Sequence, residues 1–130
     1  MADDNPVNRR VTSLLMDRLG YQLDLATNGS EAVGAATRYK YDVILMDVDM
    51  PLMGGLEATR RIRGHFLGRP ERPYIVAITS DADEASCLAA GMDYYLRKPV
   101  GLSDLTLIVG HALAEAKRRN IGTGGDAFHS

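Results

Sequence analysis

The chain has 130 residues, of which 45% are hydrophobic and 25% are charged, and its formal net charge is −2 at pH 7. This composition is typical of one globular domain, and it gives no electrostatic reason to expect binding to nucleic acid or to an acidic membrane. The N-terminus lacks the apolar core of a signal peptide, and no apolar run approaches the ~18 residues that a membrane span needs. We therefore expect a cytoplasmic domain whose function resides in a local site.

The first half of the chain indicates helices that alternate with strands. Asn5 and Pro6 are typical of a helix start, and apolar residues then recur at helical spacing as far as Gly20. A short segment of alternating apolar and polar residues predicts a half-exposed edge strand, whereas an unbroken apolar run predicts a strand covered on both faces. We expect helices at about 6–19 and 30–38, the edge strand at 21–25 and the covered central strand at 43–46.

The second half continues the alternation of strands and helices. Asp81 and Glu84 have the spacing of a capping box, and Gly91 is typical of the end of the helix that follows. We expect helices at about 56–63, 82–90 and 103–119 and strands at 74–78 and 93–96. This order predicts an α/β fold with a doubly wound parallel sheet. We expect one domain over 1–119, followed by a polar, disordered tail over 120–130.

Polar residues collect at one edge of this predicted sheet. Asp47, Thr79 and Lys98 each follow a different strand at its carboxyl end, where ligands bind in open α/β sheets, and the acid pair at 3–4 directly precedes the first helix. Carboxylate oxygens, with a backbone carbonyl such as that of Asp49, are ligands that Mg²⁺ prefers. A carboxylate that attacks a phosphoryl group needs cations to offset their repulsion, and a hydroxyl can donate to the phosphoryl oxygens. The set predicts a phosphate site.

Four motifs occur in the order found in one known family. They are DDNPVN at 3–8, MDVDMP at 46–51, IT at 78–79 and LRKP at 96–99. With these motifs the chain resembles the receiver domain of two-component signalling, and GLEATRRIR makes it most similar to the receivers of hybrid sensor histidine kinases. The resemblance implies a flavodoxin-like doubly wound parallel sheet. It also implies that the partner is a sensor histidine kinase or a histidine phosphotransfer domain.

The resemblance assigns a role to each polar residue of the site. The implied roles are the phosphoacceptor Asp47, the Mg²⁺ ligands Asp3, Asp4, Asp47 and the backbone carbonyl of Asp49, the switch hydroxyl of Thr79, the lysine Lys98, and the aromatic Tyr95 that turns inward on phosphorylation. Family members usually have a cis peptide before the proline that follows the lysine, here Pro99. We expect no enzymatic activity beyond self-catalysed phosphoryl transfer and slow autodephosphorylation.

The sequence departs from the family in its first strand. Receivers have a short apolar strand directly before the acid pair, whereas only two residues precede that pair here. We therefore expect the usual first strand to be largely missing, with an open slot between 21–26 and 43–46 and either instability or self-association through that sheet edge. The spacing from Thr79 to Lys98 is also shorter than is common in the family, which predicts a short fourth helix or loop.

Two alternatives to a phosphoaccepting receiver stay open from the sequence. A degenerate receiver, which binds partners without phosphorylation, is compatible with the shortened N-terminus. A haloacid-dehalogenase-type phosphatase is suggested by Asp47 and Asp49 directly after an apolar strand. That second class needs a cap domain and a late acid pair, which the chain does not offer.

Overall fold

Three strands and five helices make up the part of the chain that the structure, a computed structural model, describes, namely residues 1–80 and 84–119. The helices are α1 (Pro6–Arg18), α2 (Gly29–Arg38), α3 (Gly55–His65), α4 (Glu84–Ala90) and α5 (Leu102–Arg119). The strands are β1 (Val43–Asp47), β2 (Tyr74–Thr79) and β3 (Tyr94–Arg97). All eight elements were predicted from the sequence, with bounds that differ by at most two residues.

The sheet has the order β1-β2-β3, and its neighbouring strands run parallel. β1 and β2 are buried along their whole length, and their side chains alternate between two apolar layers. Ile44 and Met46 pack into the layer that contains residues of α2, α3 and α4, whereas Val43 and Leu45 pack into the layer of α1 and α5. Helices therefore cover both faces of the sheet, and the predicted doubly wound parallel arrangement is confirmed.

The first three residues lie in the sheet beside β1. Ala2 forms isolated parallel bridges with Ala26 on one side and Met46 on the other. The Ala2 N–H donates to the Leu45 carbonyl at 2.8 Å, and the Ala2 carbonyl accepts from the Asp47 N–H at 2.9 Å. The start of the chain thus has the position of a strand, but it pairs with β1 only at the carboxyl end of that strand.

The edge strand predicted at 21–25 is wrong, because this segment forms no regular strand. A strand needs a neighbouring chain along its length, and residues 1–3 reach only the end of the segment. There the Ala26 N–H donates to the Met1 carbonyl at 2.9 Å, and the Asp3 N–H donates to the Ala26 carbonyl at 3.1 Å. The alternation of apolar and polar residues matches the exposure at 21–24 but not at Leu25, which is 49% exposed, and it did not predict the absence of a pairing partner.

Helix α1 begins as predicted. The Asn5 side chain accepts hydrogen bonds from the backbone N–H groups of Val7 and Asn8 at 2.8 and 3.3 Å. Pro6 occupies the first helical position, where a missing N–H leaves no helical hydrogen bond unmade. This cap fixes the direction of α1 directly after the acid pair.

One apolar face of α1 is exposed. Val7, Val11 and Leu14 are 66%, 47% and 57% exposed, whereas Thr12 and Met16 are buried against the rest of the domain. Spacings of four and three residues place the three exposed side chains on the same side of the helix. We call Val7, Val11 and Leu14 the α1 stripe.

Helix α5 packs with the face that its sequence predicts. Its buried residues are Leu105, Val109, Ala112, Leu113 and Ala116. The capping residue predicted at Asp81 and the tail at 120–130 lie outside the described residues. Within the described residues, no helix combines the length and the apolar character that crossing a membrane requires.

Candidate functional site

Three carboxylates meet at the carboxyl end of the sheet. Asp47 is the last residue of β1, and Asp3 and Asp4 lie between the bridge residue Ala2 and the helix cap Asn5. One carboxylate oxygen from each acid lies within 4.8 Å of the other two. Asp3 and Asp47 are 0% and 1% exposed, whereas Asp4 is exposed. The structure thus brings together the three acids that the sequence placed at this edge.

Asp47 makes hydrogen bonds through only one of its two oxygens. Its Oδ1 accepts from Lys98 Nζ at 3.1 Å and from the backbone N–H of Asp49 at 3.2 Å. Its Oδ2 is buried and has no hydrogen-bond partner among the residues that the structure describes. Burial raises the pKa of Asp47 to about 6, an effect opposed by Lys98 and the Asp49 amide and reinforced by the Asp3 carboxylate. A carboxylate in this setting is stabilised by any further cation that reaches Oδ2.

The acid cluster fits a hard divalent cation. Asp3 Oδ1 accepts from the Asn5 N–H at 2.8 Å, whereas Asp3 Oδ2 is buried without a hydrogen-bond partner, as Asp47 Oδ2 is. A buried carboxylate oxygen is costly unless a donor or a cation satisfies it. Mg²⁺ takes oxygen ligands and is usually held in proteins by one or two carboxylates. Asp3, Asp4 and Asp47 are therefore suitable ligands for this ion.

Thr79 and Lys98 lie side by side at the same edge. Asp47 is paired in register with Ile78, so Thr79 at the end of β2 lies one residue beyond the level of Asp47. The Lys98 N–H donates to the Thr79 carbonyl at 2.8 Å, and Thr79 is fully buried. The peptide between Lys98 and Pro99 is cis, as the resemblance implied.

Tyr95 lies on β3 at the side of the sheet that packs against α2, α3 and α4, and it is only partly buried. The Arg97 guanidinium lies 5.7 Å from the centre of the Tyr95 ring. Arg97 Nη1 also donates to the carbonyl of Ser80, the residue after Thr79, at 3.3 Å. Arg97 therefore connects the aromatic ring to the loop that follows β2.

A cleft of about 430 Å³ opens next to the acids. Asp3 and Lys98 lie on its polar side, and its apolar wall includes Val11 of the α1 stripe and Val100 after β3. Because Val11, Asp3 and Lys98 line the same cleft, the α1 stripe borders the polar site.

Two residues that build the site were not singled out by the sequence reasoning. Gly55 starts α3 so close to β1 that a Cβ atom there would lie 2.2 Å from the Asp47 carbonyl oxygen, so this close approach requires glycine. A glycine directly before a predicted helix was a visible signal for such an approach. Arg9 of α1 donates from Nη1 to the Asp3 carbonyl at 2.8 Å. No sequence signal marks Arg9, because its contact depends on the path of the chain between the acids and α1.

The chain is similar to known signalling domains. The family described as the response regulator receiver domain matches residues 1–110. The hybrid signal transduction histidine kinase G of Dictyostelium discoideum is 42% identical over 114 residues, which cover 84% of this chain and 3% of that protein. The chain therefore spans only a small part of this relative's length.

Solved structures show the same similarity. The receiver domain of the sensor histidine kinase PA1611 from Pseudomonas aeruginosa, which has a magnesium ion coordinated in its active site cleft, is 39% identical with a TM-score of 0.74. The match covers 90% of this chain and 91% of that one. The chain is also similar to a co-crystal structure from Saccharomyces cerevisiae, which contains the histidine phosphotransfer protein Ypd1 and the receiver domain of Ssk1. The sequence identity is 25% and the TM-score is 0.78. That match covers 93% of this chain and 90% of the other.

Proposed function

The chain belongs to the response regulator receiver domains, and on that premise we propose that Asp47 accepts a phosphoryl group from a phosphohistidine of a sensor histidine kinase or histidine phosphotransfer domain. The observation that carries the proposal is the environment of Asp47, a buried carboxylate with Lys98 on one oxygen, no hydrogen-bond partner on the other among the described residues, and two further acids close by. A phosphoryl donor and a carboxylate repel each other, and this arrangement supplies the means to offset that repulsion.

The transfer forms one bond and breaks one. An oxygen of the Asp47 carboxylate attacks the phosphorus, the P–N bond of the phosphohistidine breaks, and its electron pair returns to the imidazole nitrogen. The product is an aspartyl phosphate. Because the pKa of Asp47 is about 6, the carboxylate is mainly ionised at neutral pH and available as a nucleophile. Lys98 Nζ holds the carboxylate in place and provides a fixed positive charge 3.1 Å from Oδ1.

Asp3, Asp4 and Asp47, with the backbone carbonyl of Asp49, are the residues that we propose hold Mg²⁺. The bound ion supplies positive charge to the phosphoryl oxygens. The buried oxygens Asp3 Oδ2 and Asp47 Oδ2, which lack hydrogen-bond partners, support this assignment. The magnesium ion in the Pseudomonas aeruginosa relative is consistent with it.

Thr79 and Tyr95 are the residues that we propose respond to phosphorylation. Thr79 ends β2, where its backbone carbonyl accepts from the Lys98 N–H, and its hydroxyl is of the type that donates to a phosphoryl oxygen. Tyr95 is partly buried, so a movement of Thr79 toward the phosphoryl group would leave its ring room to turn inward. The resulting change of surface would alter which partner the domain binds.

The α1 stripe supports docking of the phosphodonor domain at this end of the molecule. Val7 and Val11 are exposed apolar residues on the helix that follows the acid pair, and Val11 also lines the cleft that reaches Lys98. Leu52, in the loop after Asp47, is 91% exposed and has a φ of 68°. Exposed apolar residues that surround a polar site are typical of a protein interface. We assign this surface to the domain that carries the phosphohistidine.

Phosphorylation of the intact chain tests the proposal. Acetyl phosphate with Mg²⁺ is expected to add the mass of one phosphoryl group to the wild-type protein and none to Asp47→Asn. Asp17→Asn is the matched control, because Asp17 is an exposed acid in the last turn of α1, at the end of the helix away from the acid pair. A folded wild-type protein that gains no phosphoryl group, or an Asp47→Asn protein that gains it equally, would contradict the assignment. In the first case the domain would act only as an interaction module.

A second arm separates docking from chemistry. Val11→Arg is expected to slow transfer from a histidine phosphotransfer domain that phosphorylates the wild-type chain, and to leave labelling by acetyl phosphate unchanged. Leu107→Arg on α5 is the control, because Leu107 is 76% exposed and is not part of the α1 stripe. Equal slowing by both variants would show that added charge, and not the stripe, determines the rate.

A further inference from the structure

Arg9 connects α1 to the backbone of the acid pair. It lies one turn into α1, where its own N–H donates to the Asn5 carbonyl at 3.1 Å. Its Nη1 donates to the backbone carbonyl of Asp3 at 2.8 Å, so the bond passes from the helix to the peptide group that joins Asp3 and Asp4. A hydrogen bond from a charged guanidinium is stronger than one between neutral groups.

The position of Asp4 depends on this peptide group. Asp3 is held by its N–H on Ala26 and by its Oδ1 on the Asn5 N–H. The Asp4 side chain is exposed and accepts no hydrogen bond from any residue that the structure describes. The orientation of the peptide between Asp3 and Asp4 therefore determines where the Asp4 carboxylate points, and Arg9 is the side chain that holds that peptide.

Arg9 also contributes positive charge near the acids. Three carboxylates lie within 4.8 Å of one another and face a single lysine, Lys98. The Arg9 guanidinium is held at the Asp3 carbonyl, beside this cluster. The positive charge of Arg9 would repel a metal ion, whereas its hydrogen bond would organise the ligands. Removal of Arg9 would therefore raise Mg²⁺ affinity if the charge effect dominates and lower it if the hydrogen bond dominates.

We infer that Arg9 is a positioning residue for Mg²⁺, which acts by fixing the Asp3–Asp4 peptide so that both carboxylates converge with Asp47. The inference rests on the proposed function, because it concerns the same metal site. Residues that orient metal ligands commonly change metal affinity by about 10–100-fold when they are replaced.

Titration with Mg²⁺ alone tests the inference, with binding followed by calorimetry. Arg9→Met, which keeps the length of the side chain and removes its donors and charge, is expected to weaken Mg²⁺ binding roughly 10-fold. Arg9→Lys, which keeps the charge and loses the planar fork, is expected to give an intermediate affinity. Arg10→Met is the matched control, because Arg10 is the exposed neighbour on the same helix, and it is expected to bind as the wild type does.

Hydrogen exchange without metal provides the readout that a general loss of stability would not move. Faster exchange of the Asn5 amide, which donates to Asp3 Oδ1, is expected in Arg9→Met, with unchanged exchange in β2, if Arg9 fixes this peptide. Mg²⁺ binding by Arg9→Met that equals or exceeds wild-type binding overturns the inference. If Arg9→Met does not fold, wild-type affinity in Arg9→Lys together with wild-type exchange of the Asn5 amide overturns it instead. A wild-type chain that binds no Mg²⁺ overturns the metal part of the proposed function and Arg9's role with it.

Discussion

Replacement of Asp47 by asparagine is expected to stabilise the metal-free protein at neutral pH. Burial raises the pKa of Asp47 from 3.8 to about 6. The folded protein therefore binds more protons than the unfolded chain between about pH 4 and pH 6, and stability is lost as the pH rises through this window. The shift is equivalent to on the order of 3 kcal/mol of destabilisation at pH 7.

Asp47→Asn removes this ionisation and leaves a side chain of the same shape that can still accept from Lys98 and the Asp49 amide. We expect its free energy of unfolding at pH 7 to exceed that of the wild type by up to about 3 kcal/mol, or its melting temperature by roughly 10 °C. The gain is expected to shrink as the pH falls from 6 to 4, because the wild-type carboxyl becomes protonated.

Urea denaturation at pH 4.5 and pH 7 with a metal chelator present measures the difference. Asp49→Asn is the control for loss of one negative charge at an exposed position. Saturating Mg²⁺ is expected to stabilise the wild type and to have little effect on Asp47→Asn. An Asp47→Asn protein that is no more stable than the wild type at pH 7, or equally stabilised at both pH values, would refute the reasoning.

Three further changes have defined outcomes. Lys98→Met removes the cation on Asp47 Oδ1, so labelling by acetyl phosphate is expected to slow roughly 100-fold, which intact mass against time would measure; an unchanged rate would contradict a role for Lys98. Gly55→Ala places a Cβ atom 2.2 Å from the Asp47 carbonyl oxygen and is expected to cost more than about 1 kcal/mol of stability. Gly64→Ala in the same helix, with no atom within 4 Å, is expected to be neutral or stabilising, and equal melting temperatures for the two variants would count against the close approach. Placing a short Val, Leu and Ile strand directly before Asp3 is expected to raise both the melting temperature and Mg²⁺ affinity, and a change in neither would show that the sheet does not depend on this position.

The elements of the sheet could be predicted because their signals are local. The apolar runs that became β1 and β2 are buried on both faces, and such runs have few alternatives in a chain of this size. The start of α1 could also be predicted from local residues. The Asn5 side chain accepts from backbone N–H groups of the first turn, and Pro6 has no N–H that would need a partner. The segment at 21–25 could not be predicted in this way, since pairing depends on a second chain segment that the local pattern does not contain.

The site could be predicted at the level of its residues and not of its contacts. Asp47, Thr79 and Lys98 converge because parallel strands end at one edge, which follows from topology alone. The two buried carboxylate oxygens without hydrogen-bond partners among the described residues, and the hydrogen bond from Arg9, depend on side-chain geometry, which the sequence does not specify. Asp47 and Asp49 were compatible both with a receiver domain and with a haloacid-dehalogenase-type phosphatase. The match of residues 1–110 to the receiver family excludes the phosphatase.

Helix α1 carries both the exposed apolar stripe and two hydrogen bonds to Asp3, one from the Asn5 N–H at its cap and one from Arg9. If the acids hold Mg²⁺ as we propose, a partner that shifts or steadies this helix would change the free energy of metal binding. Thermodynamic linkage makes the effect reciprocal, so metal bound at the acids must change the affinity of that partner by the same factor. Under the proposed function, a phosphodonor domain docked on α1 would then bind with an affinity that depends on the metal content of the site, before any phosphoryl group has moved.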